Sequence, residues 1–433
     1  MKNLKSKYIG YAFLLTAVAF SSACNKEYLN PNAATAEEVL TSAKGLTGVT
    51  VGLQKNFSTT RAGVLYASIT LNGLTTNELI SINTGNTNEE RLVAGGVQVD
   101  GTNTILLNVW AGSNKIIFDA DNVINNSANL ADKNYASGLI AHASIFKALA
   151  LGNLSEYWER VPASIGQNVT FISRVEGFNK AIATIDNALA VIAANPISAS
   201  FTGNIPAGID IPNTLNALKA RYALFAGNYA LALTAANAVD LSISKKSTFT
   251  YDALNLNPIF EIATSTNNVI QPKNISLGQT GANVPDAGDA RIPFYTVVNT
   301  TVRINGFGAA TFAQIPVYLP GEVTLIKAEA YARQATPNLS SALTELNKIV
   351  TKTAATDVFG VGAALPALTG TYTQQQLLDL IYKHRCIELF MSGLKLEDMR
   401  RFNQPLTDRK RNFFPYPFQE RDNNTNTPAD PAF

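Results

Sequence analysis

The chain has 433 residues, of which 46% are hydrophobic and 15% are charged, and its formal net charge is +2. This length can bury one large hydrophobic core or two closely packed ones, so stability does not require disulfides, for which Cys24 and Cys386 are the only cysteines. The small net charge gives no indication of nucleic acid or an anionic membrane surface as a partner. Because charged residues are few, Asn, Thr, Ser and Gln must cover much of the surface, which suits neutral ligands such as sugars or peptides.

The first 23 residues have the pattern of a secretory signal peptide. Lysines at the start precede an apolar run over residues 9–20, which is too short to span a bilayer as a helix. Cys24 follows small residues and resembles the lipobox cysteine of bacterial lipoproteins, although Ser21 stands where a large aliphatic residue is usual. We therefore predict an acyl chain such as palmitate on Cys24, which becomes the mature N-terminus, and a lipidated tether over residues 24–34.

Residues 35–433 are predicted to form a single domain. Thr35 and Glu38 have the spacing of a capping box and predict a helix that ends near Phe57. From 58 to 101 the helical periodicity fades, and the Asn and Gly residues at 83–88 indicate an exposed loop. Helical periodicity returns in three further segments, at residues 104–126, 132–157 and 175–194.

Two helical hairpins are predicted in the second half of the chain. The first covers 214–239, where Gly227 and Asn228 break an Ala-rich pattern, and the second covers 318–350. Their small and aromatic residues repeat the spacing of tetratricopeptide units: Gly227, Tyr229 and Ala232 in the first, and Ala328, Tyr331 and Ala342 in the second. We predict a mainly α fold, in which a tetratricopeptide-like hairpin scaffold carries a loop-rich irregular lobe with a few short strands at about 241–317.

The last long helix is predicted to open at Thr373 and to run without a break to the MRRF sequence. Its apolar stripe includes Arg385 and lies beside Glu388. Because charged side chains rarely face a core unless they are paired, this position predicts a buried structural ion pair between Arg385 and Glu388, widened by Asp398 and Arg401.

These charged residues belong to a pattern that extends over nearly the whole mature chain. Residues 385–401 resemble the R-x-E-L-x-x-E-G-x-R-x-x-D-L-R-R helix of the SusD/RagB family, which are outer-membrane nutrient-binding lipoproteins of Bacteroidota. The other landmarks of the family occur in its order, at 75–78 (TTNE), Trp110 with Ile117, Ala120 and Asn122, 289–291 (DAR), 322–333, and 414–417 followed by Glu420. Asn77, Ser392, Leu394 and Lys395 depart from the family pattern.

The resemblance implies a lipoprotein on the outer face of the outer membrane, anchored by its lipid and directed there by a signal like that of Lys26 and Glu27. It further implies that the protein binds an oligosaccharide or polysaccharide nutrient and delivers it to a TonB-dependent, SusC-like transporter. Residues 79–108 contain no aromatic side chain, where the starch-binding member of the family has part of its sugar-stacking platform, so starch is disfavoured as the ligand.

Two alternatives remain open from the sequence. Some members of the family bind peptides, and a peptide would use the same architecture. A tetratricopeptide-type envelope scaffold that binds no nutrient is the other, although the few repeats and the large lobe argue against it.

Sites of covalent chemistry are not evident. The two histidines, His142 and His384, lie in separate predicted helices, so neither a transition-metal site nor a His-based triad is indicated. The glycines at 306–308 and 360–362 are followed by prolines and predict turns, not dinucleotide loops. We predict no enzyme activity and no cofactor; Asp119 and Asp121 do not form an EF-hand, and an irregular Ca²⁺ site stays open.

Four residues are candidates for ligand binding. Flat aromatic faces contact the C–H groups of a sugar ring, and amides or charges bind its hydroxyls. In the polar loops, Tyr295 and Phe307 can supply aromatic faces, and Arg91 and Arg303 can supply charges that bind hydroxyls. Trp110 and Trp158 are predicted to lie in the core.

We predict that Cys24→Ala releases a folded, ligand-competent protein, because the lipid and the binding domain have separate roles. Membrane fractionation should find the variant in the soluble fraction and the wild-type chain with the membrane. Loss of ligand binding in the released protein would contradict this division.

Overall fold

The computed structural model describes residues 36–432 of the chain. The predicted signal peptide, Cys24, the tether with Lys26 and Glu27, and the capping residue Thr35 lie outside the described residues. Over the described part, no helix is both long enough and apolar enough to cross a membrane.

Helices form most of the regular structure, and the long ones begin at polar side chains that accept hydrogen bonds from the first turn. These N-caps are Asn103, Asp132, Ser173 and Thr373. The α-helices are, in chain order, α1 (Ala36–Thr41), α2 (Ala43–Ser58), α3 (Val64–Thr75), α4 (Thr87–Ala94), α5 (Thr104–Ser127), α6 (Lys133–Tyr157), α7 (Arg174–Ala194), α8 (Ala199–Thr202), α9 (Ile211–Phe225), α10 (Tyr229–Asn237), α11 (Arg291–Tyr295), α12 (Pro320–Arg333), α13 (Leu339–Val350), α14 (Gln374–Glu388), α15 (Lys395–Arg401) and α16 (Phe418–Asn423).

The strands are short and pair in twos, always antiparallel. They are β1 (Leu79–Ser81), β2 (Arg160–Pro162), β3 (Phe171–Ser173), β4 (Thr248–Phe249), β5 (Ile270–Pro272), β6 (Thr296–Asn299), β7 (Thr301–Ile304) and β8 (Ile315–Pro316). β1 pairs with β5, β2 with β3, β4 with β8, and β6 with β7. Two of these pairs join segments that are far apart in the chain: β1–β5 attaches the lobe to the segment that follows α3, and β4–β8 holds the two ends of the lobe together.

The scaffold is a row of helices in which each packs against the next. Helix α6 packs against both α5 and α7, α7 packs against α9, and the hairpin of α9 and α10 packs against α12, which also contacts α13 and α14. Gly227 turns between α9 and α10 with a φ of +79°, a conformation that glycine adopts without strain. Both predicted hairpins and the predicted mainly α fold are therefore confirmed.

An aromatic cluster fastens the C-terminal segment to the first long helices. Trp110 on α5 and Trp158 after α6 are buried and meet edge to face, with ring centroids 4.8 Å apart. The Trp158 indole N–H donates to the backbone oxygen of Pro415 (3.0 Å), and that of Trp110 donates to Glu420 (3.0 Å). Tyr416 covers Trp110 at 5.5 Å. The prediction that both tryptophans lie in the core is confirmed.

Two predicted boundaries before residue 101 are wrong. The first helix is divided at Ser42, whose side chain caps α2 by accepting from the Gly45 N–H (3.1 Å). The segment predicted to lack helices contains α3 and α4. Every residue of α3 is buried, so the helix has no polar face and shows no amphipathic period in the sequence.

The last predicted helix is also divided, into α14 and α15. Between them, Met391 and Gly393 adopt positive φ values of 59° and 83°, which no α-helix accommodates. The side-chain amide of Asn72 donates to the backbone oxygen of Gly393 (2.6 Å), and so does the hydroxyl of Tyr157 (2.7 Å). The break is thus held by buried residues from α3 and α6, which sequence periodicity does not show.

The ion pair predicted between Arg385 and Glu388 is wrong, although both side chains are fully buried. Arg385 binds Asp398 of α15 through two hydrogen bonds of 2.9 Å each. Arg401 also pairs with Asp398 and, in addition, with Glu329 of α12. The predicted participation of Asp398 and Arg401 is therefore confirmed, with Asp398 as the central carboxylate.

Glu388 belongs to a second buried cluster that faces the lobe. Its carboxylate binds Arg291 (3.2 Å) and Lys352. Arg291 is held by Asp289 through bonds of 3.0 and 2.6 Å, and Lys352 by Asp357 (2.8 Å). Arg385 and Glu388 are three positions apart on α14, but each binds charged residues from another part of the chain. These contacts are formed in place of an ion pair between the two.

We predict that Arg385→Ala lowers the free energy of unfolding by about 3 kcal/mol, because it removes the bidentate partner of a buried carboxylate. Lys348→Ala is the control, since it removes an exposed pair with Glu345 worth less than about 1 kcal/mol. Chemical denaturation of both variants measures the difference. Equal losses would contradict the role of the buried pair.

Candidate functional site

The four predicted ligand residues lie in three different places. Arg303 lines an open groove in the lobe, while Tyr295 and Phe307 line a small cavity behind it. Arg91 lies on α4, where it donates to the Thr102 hydroxyl (2.9 Å), and it lines neither space. The structure therefore places Tyr295 and Phe307 together, Arg303 in the adjoining groove, and Arg91 apart from both.

The groove, called here the lobe groove, has a volume of about 380 Å³, within the range of small-molecule sites. Its walls are the β6–β7 hairpin, β5 and the segment that contains Ala263, Thr264 and Asn267. Its lining is mostly small, apolar or amide-bearing: Ala263, Thr264, Asn267, Ile270, Gln271, Val297, Asn299, Arg303, Ile304, Asn305 and Ala309.

The hairpin places its polar side chains toward the groove through strand alternation. Val297 pairs with Arg303, and Asn299 lies two residues beyond Val297, so all three project from the same face. Thr300 makes the tight reversal between the strands with a φ of +61°. The prediction of a few short strands in the lobe is confirmed by this hairpin.

Two buried polar atoms at the groove lack a partner among the described residues: the Arg303 Nε and the Thr264 hydroxyl oxygen. Thr264 ends a π-helical turn, Phe260–Thr264, in which the Ser265 N–H donates five residues back to Phe260 (2.8 Å). Such turns are rare and frequently occur at functional sites. An unsatisfied buried polar group costs free energy, which a ligand or water that bonds to these atoms would recover.

The predicted exposed loop at 83–88 folds against this region. The Asn83 side-chain amide donates to that of Asn268 (2.7 Å), and the Asn86 amide donates to the Asn268 backbone oxygen (2.7 Å). The loop thus supports the segment that carries Asn267, which lines the groove. The second half of the predicted loop, from residue 87, is instead the first turn of α4.

The lining of the lobe groove suits binding and not acid–base chemistry. None of the described residues that line it is an acid, a histidine or a cysteine. Its guanidinium, amides and hydroxyl provide donors and acceptors that match the hydroxyls of a neutral ligand. Across the described part of the chain, no group of His, Cys, Asp or Glu could hold a metal ion, and His142 and His384 are both buried.

Tyr295 and Phe307 pack behind the groove. Tyr295 is only 3% exposed, and its hydroxyl donates to the backbone oxygen of Glu388 (2.5 Å). The half-buried ring of Phe307 meets those of Tyr295 at 6.2 Å and Phe359 at 5.8 Å. Ile304 lines both the groove and the cavity, so these rings support the wall that carries Arg303.

The cavity behind the groove is about 80 Å³ in volume and contains unpaired polar atoms. The amide nitrogen of Asn153, one carboxylate oxygen of Glu156 and the hydroxyl of Ser392 lack hydrogen-bond partners among the described residues. Burial raises the pKa of Glu156 to about 8, and the nearby Arg221 only partly opposes this shift. Arg221 is itself engaged by Glu322 at 2.6 and 2.7 Å.

Sequence reasoning missed most of the groove. Thr264, Asn267, Gln271 and Asn299 were not singled out, because the lobe is rich in such residues throughout. The alternation of residues 297, 299 and 303 across a hairpin was the one signal that could have grouped Asn299 with Arg303.

Solved structures show what this fold is similar to. A SusD superfamily protein of Parabacteroides distasonis matches 93% of this chain and all of its own, with a TM-score of 0.69 and 15% identity. A SusD-like carbohydrate-binding protein of Bacteroides fragilis matches over 84% and 87% of the two chains (TM-score 0.63, 13% identity). A SusD/RagB family protein of Bacteroides thetaiotaomicron matches over 88% and 94% (TM-score 0.61, 14% identity).

No family model matches the sequence, and no curated protein matches it significantly. The structural matches nevertheless cover nearly the whole of both chains, so the chain has the SusD superfamily fold. The fold implied by the resemblance of residues 385–401 is thereby confirmed.

We predict that Glu156→Gln flattens the dependence of stability on pH. Between pH 4.5, the ordinary pKa of this carboxyl, and about 8, the folded state keeps a proton that the unfolded state loses, so rising pH lowers the free energy of unfolding. The variant should therefore exceed the wild type at pH 8 by on the order of 2 kcal/mol, with little difference at pH 4.5.

Denaturation midpoints at the two pH values measure this effect. Glu159→Gln, at an exposed neighbour, is the control for removing one charge. Parallel pH profiles for the wild type and Glu156→Gln would contradict the prediction.

Proposed function

We propose that the chain is a nutrient-binding protein of the SusD/RagB family and that the lobe groove binds an oligosaccharide. The observation that carries the proposal is that the Arg303 Nε and the Thr264 hydroxyl, both unsatisfied, occur in one groove whose other lining residues are small, apolar or amide-bearing. A sugar presents many hydroxyls, each a donor and an acceptor, and can satisfy such groups together. One protein with the same fold is described as carbohydrate-binding, which supports this ligand class.

The lipobox pattern at Cys24 supports a location at the outer membrane, held by lipid and facing the cell exterior. In this proposal residues 24–34 are the tether, and residues 35–433 form one binding domain that delivers ligand to a TonB-dependent, SusC-like transporter. Purification through a tagged chain tests the partnership, since a large outer-membrane barrel should copurify. The protein contributes binding and no covalent chemistry.

Peptide binding is the second candidate, because amides and a guanidinium also pair with peptide groups. The absence of any acidic side chain among the described lining residues gives no partner for basic peptides and leaves neutral or acidic ones. Calorimetry with matched panels of oligosaccharides and peptides separates the two ligand classes. A chain that binds neither would be an envelope scaffold.

We predict that Arg303→Ala weakens saccharide binding at least tenfold, because a hydrogen bond from a charged donor contributes about 1.5–3 kcal/mol. Arg421→Ala is the matched control, since Arg421 pairs with Asp430 and lies outside the groove. Arg91→Ala tests the remaining sequence candidate and should also leave the affinity unchanged. Titration calorimetry against a saccharide that binds the wild type measures all three.

A wild-type affinity in Arg303→Ala would place the ligand elsewhere. A loss in Arg91→Ala alone would transfer the site to α4. Loss in all three variants would indicate a general effect on folding, which thermal melting of each variant would reveal.

A further inference from the structure

A second groove lies on the helical scaffold, away from the lobe. Helix α6 forms its floor, while α5 and α7, which pack on either side of α6, form its walls. The loop after β2, which includes Ile165, closes one end. This scaffold groove has a volume of about 630 Å³, larger than the lobe groove and within the range of ligand sites.

The wall formed by α5 presents a flat apolar surface among polar groups. Asn114, Phe118 and Asn122 are spaced four residues apart and therefore share one face of the helix. Phe118 is 52% exposed, which is unusual for a large aromatic side chain in a long helix. Its ring can lie against the C–H face of a sugar while the neighbouring amides bind hydroxyls.

The floor contains a buried polar group that has no partner. The Ser144 hydroxyl on α6 lines the groove, is fully buried, and makes no hydrogen bond with any described residue. A helical serine ordinarily satisfies its hydroxyl on the preceding turn. An unsatisfied hydroxyl costs free energy that a ligand in the groove can recover.

The opposite wall adds free amides. The Asn187 side chain on α7 is exposed toward the groove, and neither it nor the Asn122 side chain makes a side-chain hydrogen bond to any described residue. The two amides thus face the groove from α7 and α5 with their donors and acceptors unused. The groove therefore offers one exposed aromatic ring, from Phe118, and hydrogen-bonding groups from Asn122, Ser144 and Asn187.

The charged side chains at the groove already have hydrogen-bond partners within the protein. Lys147 pairs with Asp121, and the Lys180 ammonium donates to the backbone oxygen of Ala163. No unpaired carboxylate is left among the described lining residues, which disfavours a cationic ligand, while Lys180 has no carboxylate partner among them and keeps its charge. The exposed Phe118 ring and the unpaired amides favour an uncharged, polyhydroxylated ligand.

The groove also continues along α5. A further space of about 310 Å³, beside Trp110 and α16, shares Asn114, Pro162, Ser164 and Ile165 with it. An extended ligand can occupy both spaces, whereas a single sugar would fill only part of the first. We infer that the scaffold groove is a second binding site for a neutral, linear oligosaccharide, independent of the lobe groove.

The test uses the mature chain with Cys24→Ala and a set of neutral trisaccharides, namely cellotriose, mannotriose, xylotriose and laminaritriose. Saturation-transfer NMR measures binding to the parent chain and to Phe118→Ala. The ring is exposed, so its removal should leave the fold intact. We expect Phe118→Ala to weaken binding of at least one trisaccharide fivefold or more.

Two further variants control the experiment. Asn187→Ala removes an amide from the opposite wall and should weaken the same trisaccharide. Phe312→Ala removes a phenyl ring of similar exposure (55%) that lines neither groove, and it should have no effect. Equal effects of Phe118→Ala and Phe312→Ala would overturn the inference, and so would a parent chain that binds none of the four sugars.

Arg303→Ala separates this site from the one proposed in the lobe. Binding that is lost in Arg303→Ala and kept in Phe118→Ala would overturn the scaffold groove and support the lobe groove. The reverse pattern would support the scaffold groove and reject the lobe groove. Partial losses in each variant would support two separate sites.

Discussion

Neutralisation of buried charge on α14 and α15 is the constraint on which the rest of the structure depends. Asp398 and Glu388 are buried carboxylates, and each is tolerable only because cations reach it from elsewhere. Arg385 and Arg401 pair with Asp398, while Arg291 and Lys352 pair with Glu388. Arg291 is 97 residues from Glu388 in the chain, so this pair fixes α14 against the lobe. Arg401 also binds Glu329, which fixes α15 against α12.

Buried charge therefore helps to position the lobe on the scaffold. Arg291 opens α11, which leads directly into the β6–β7 hairpin, so its bond to Glu388 anchors the hairpin base to the scaffold. Tyr295 adds a second tie through its hydroxyl bond to the Glu388 backbone. The hairpin anchored in this way carries Asn299 near its turn and Arg303 near its base, and both line the lobe groove. Polar side chains on a segment that is anchored to a rigid scaffold are the arrangement expected of a binding site.

The two proposed binding grooves are built from different elements. The lobe groove relies on an unpaired guanidinium and amides from a hairpin and loops, whereas the scaffold groove relies on a phenyl ring and amides from helices. Both leave a buried hydroxyl unsatisfied, Thr264 in one and Ser144 in the other. Two sites on one chain would raise the retention of a long ligand well above that of either site alone.

Sequence alone determined the helical class, most long helices, both hairpins and the resemblance to SusD, because caps, turn glycines and periodicity act between near neighbours. Only the tertiary structure decided that α3 is a helix, that α14 ends at Glu388, and that Arg385 binds Asp398. Full burial erased the periodicity of α3, and long-range contacts selected the ion pairs. The grooves are not visible in the sequence for the same reason: Arg303 and Phe118 line grooves only because segments distant in the chain form the other walls.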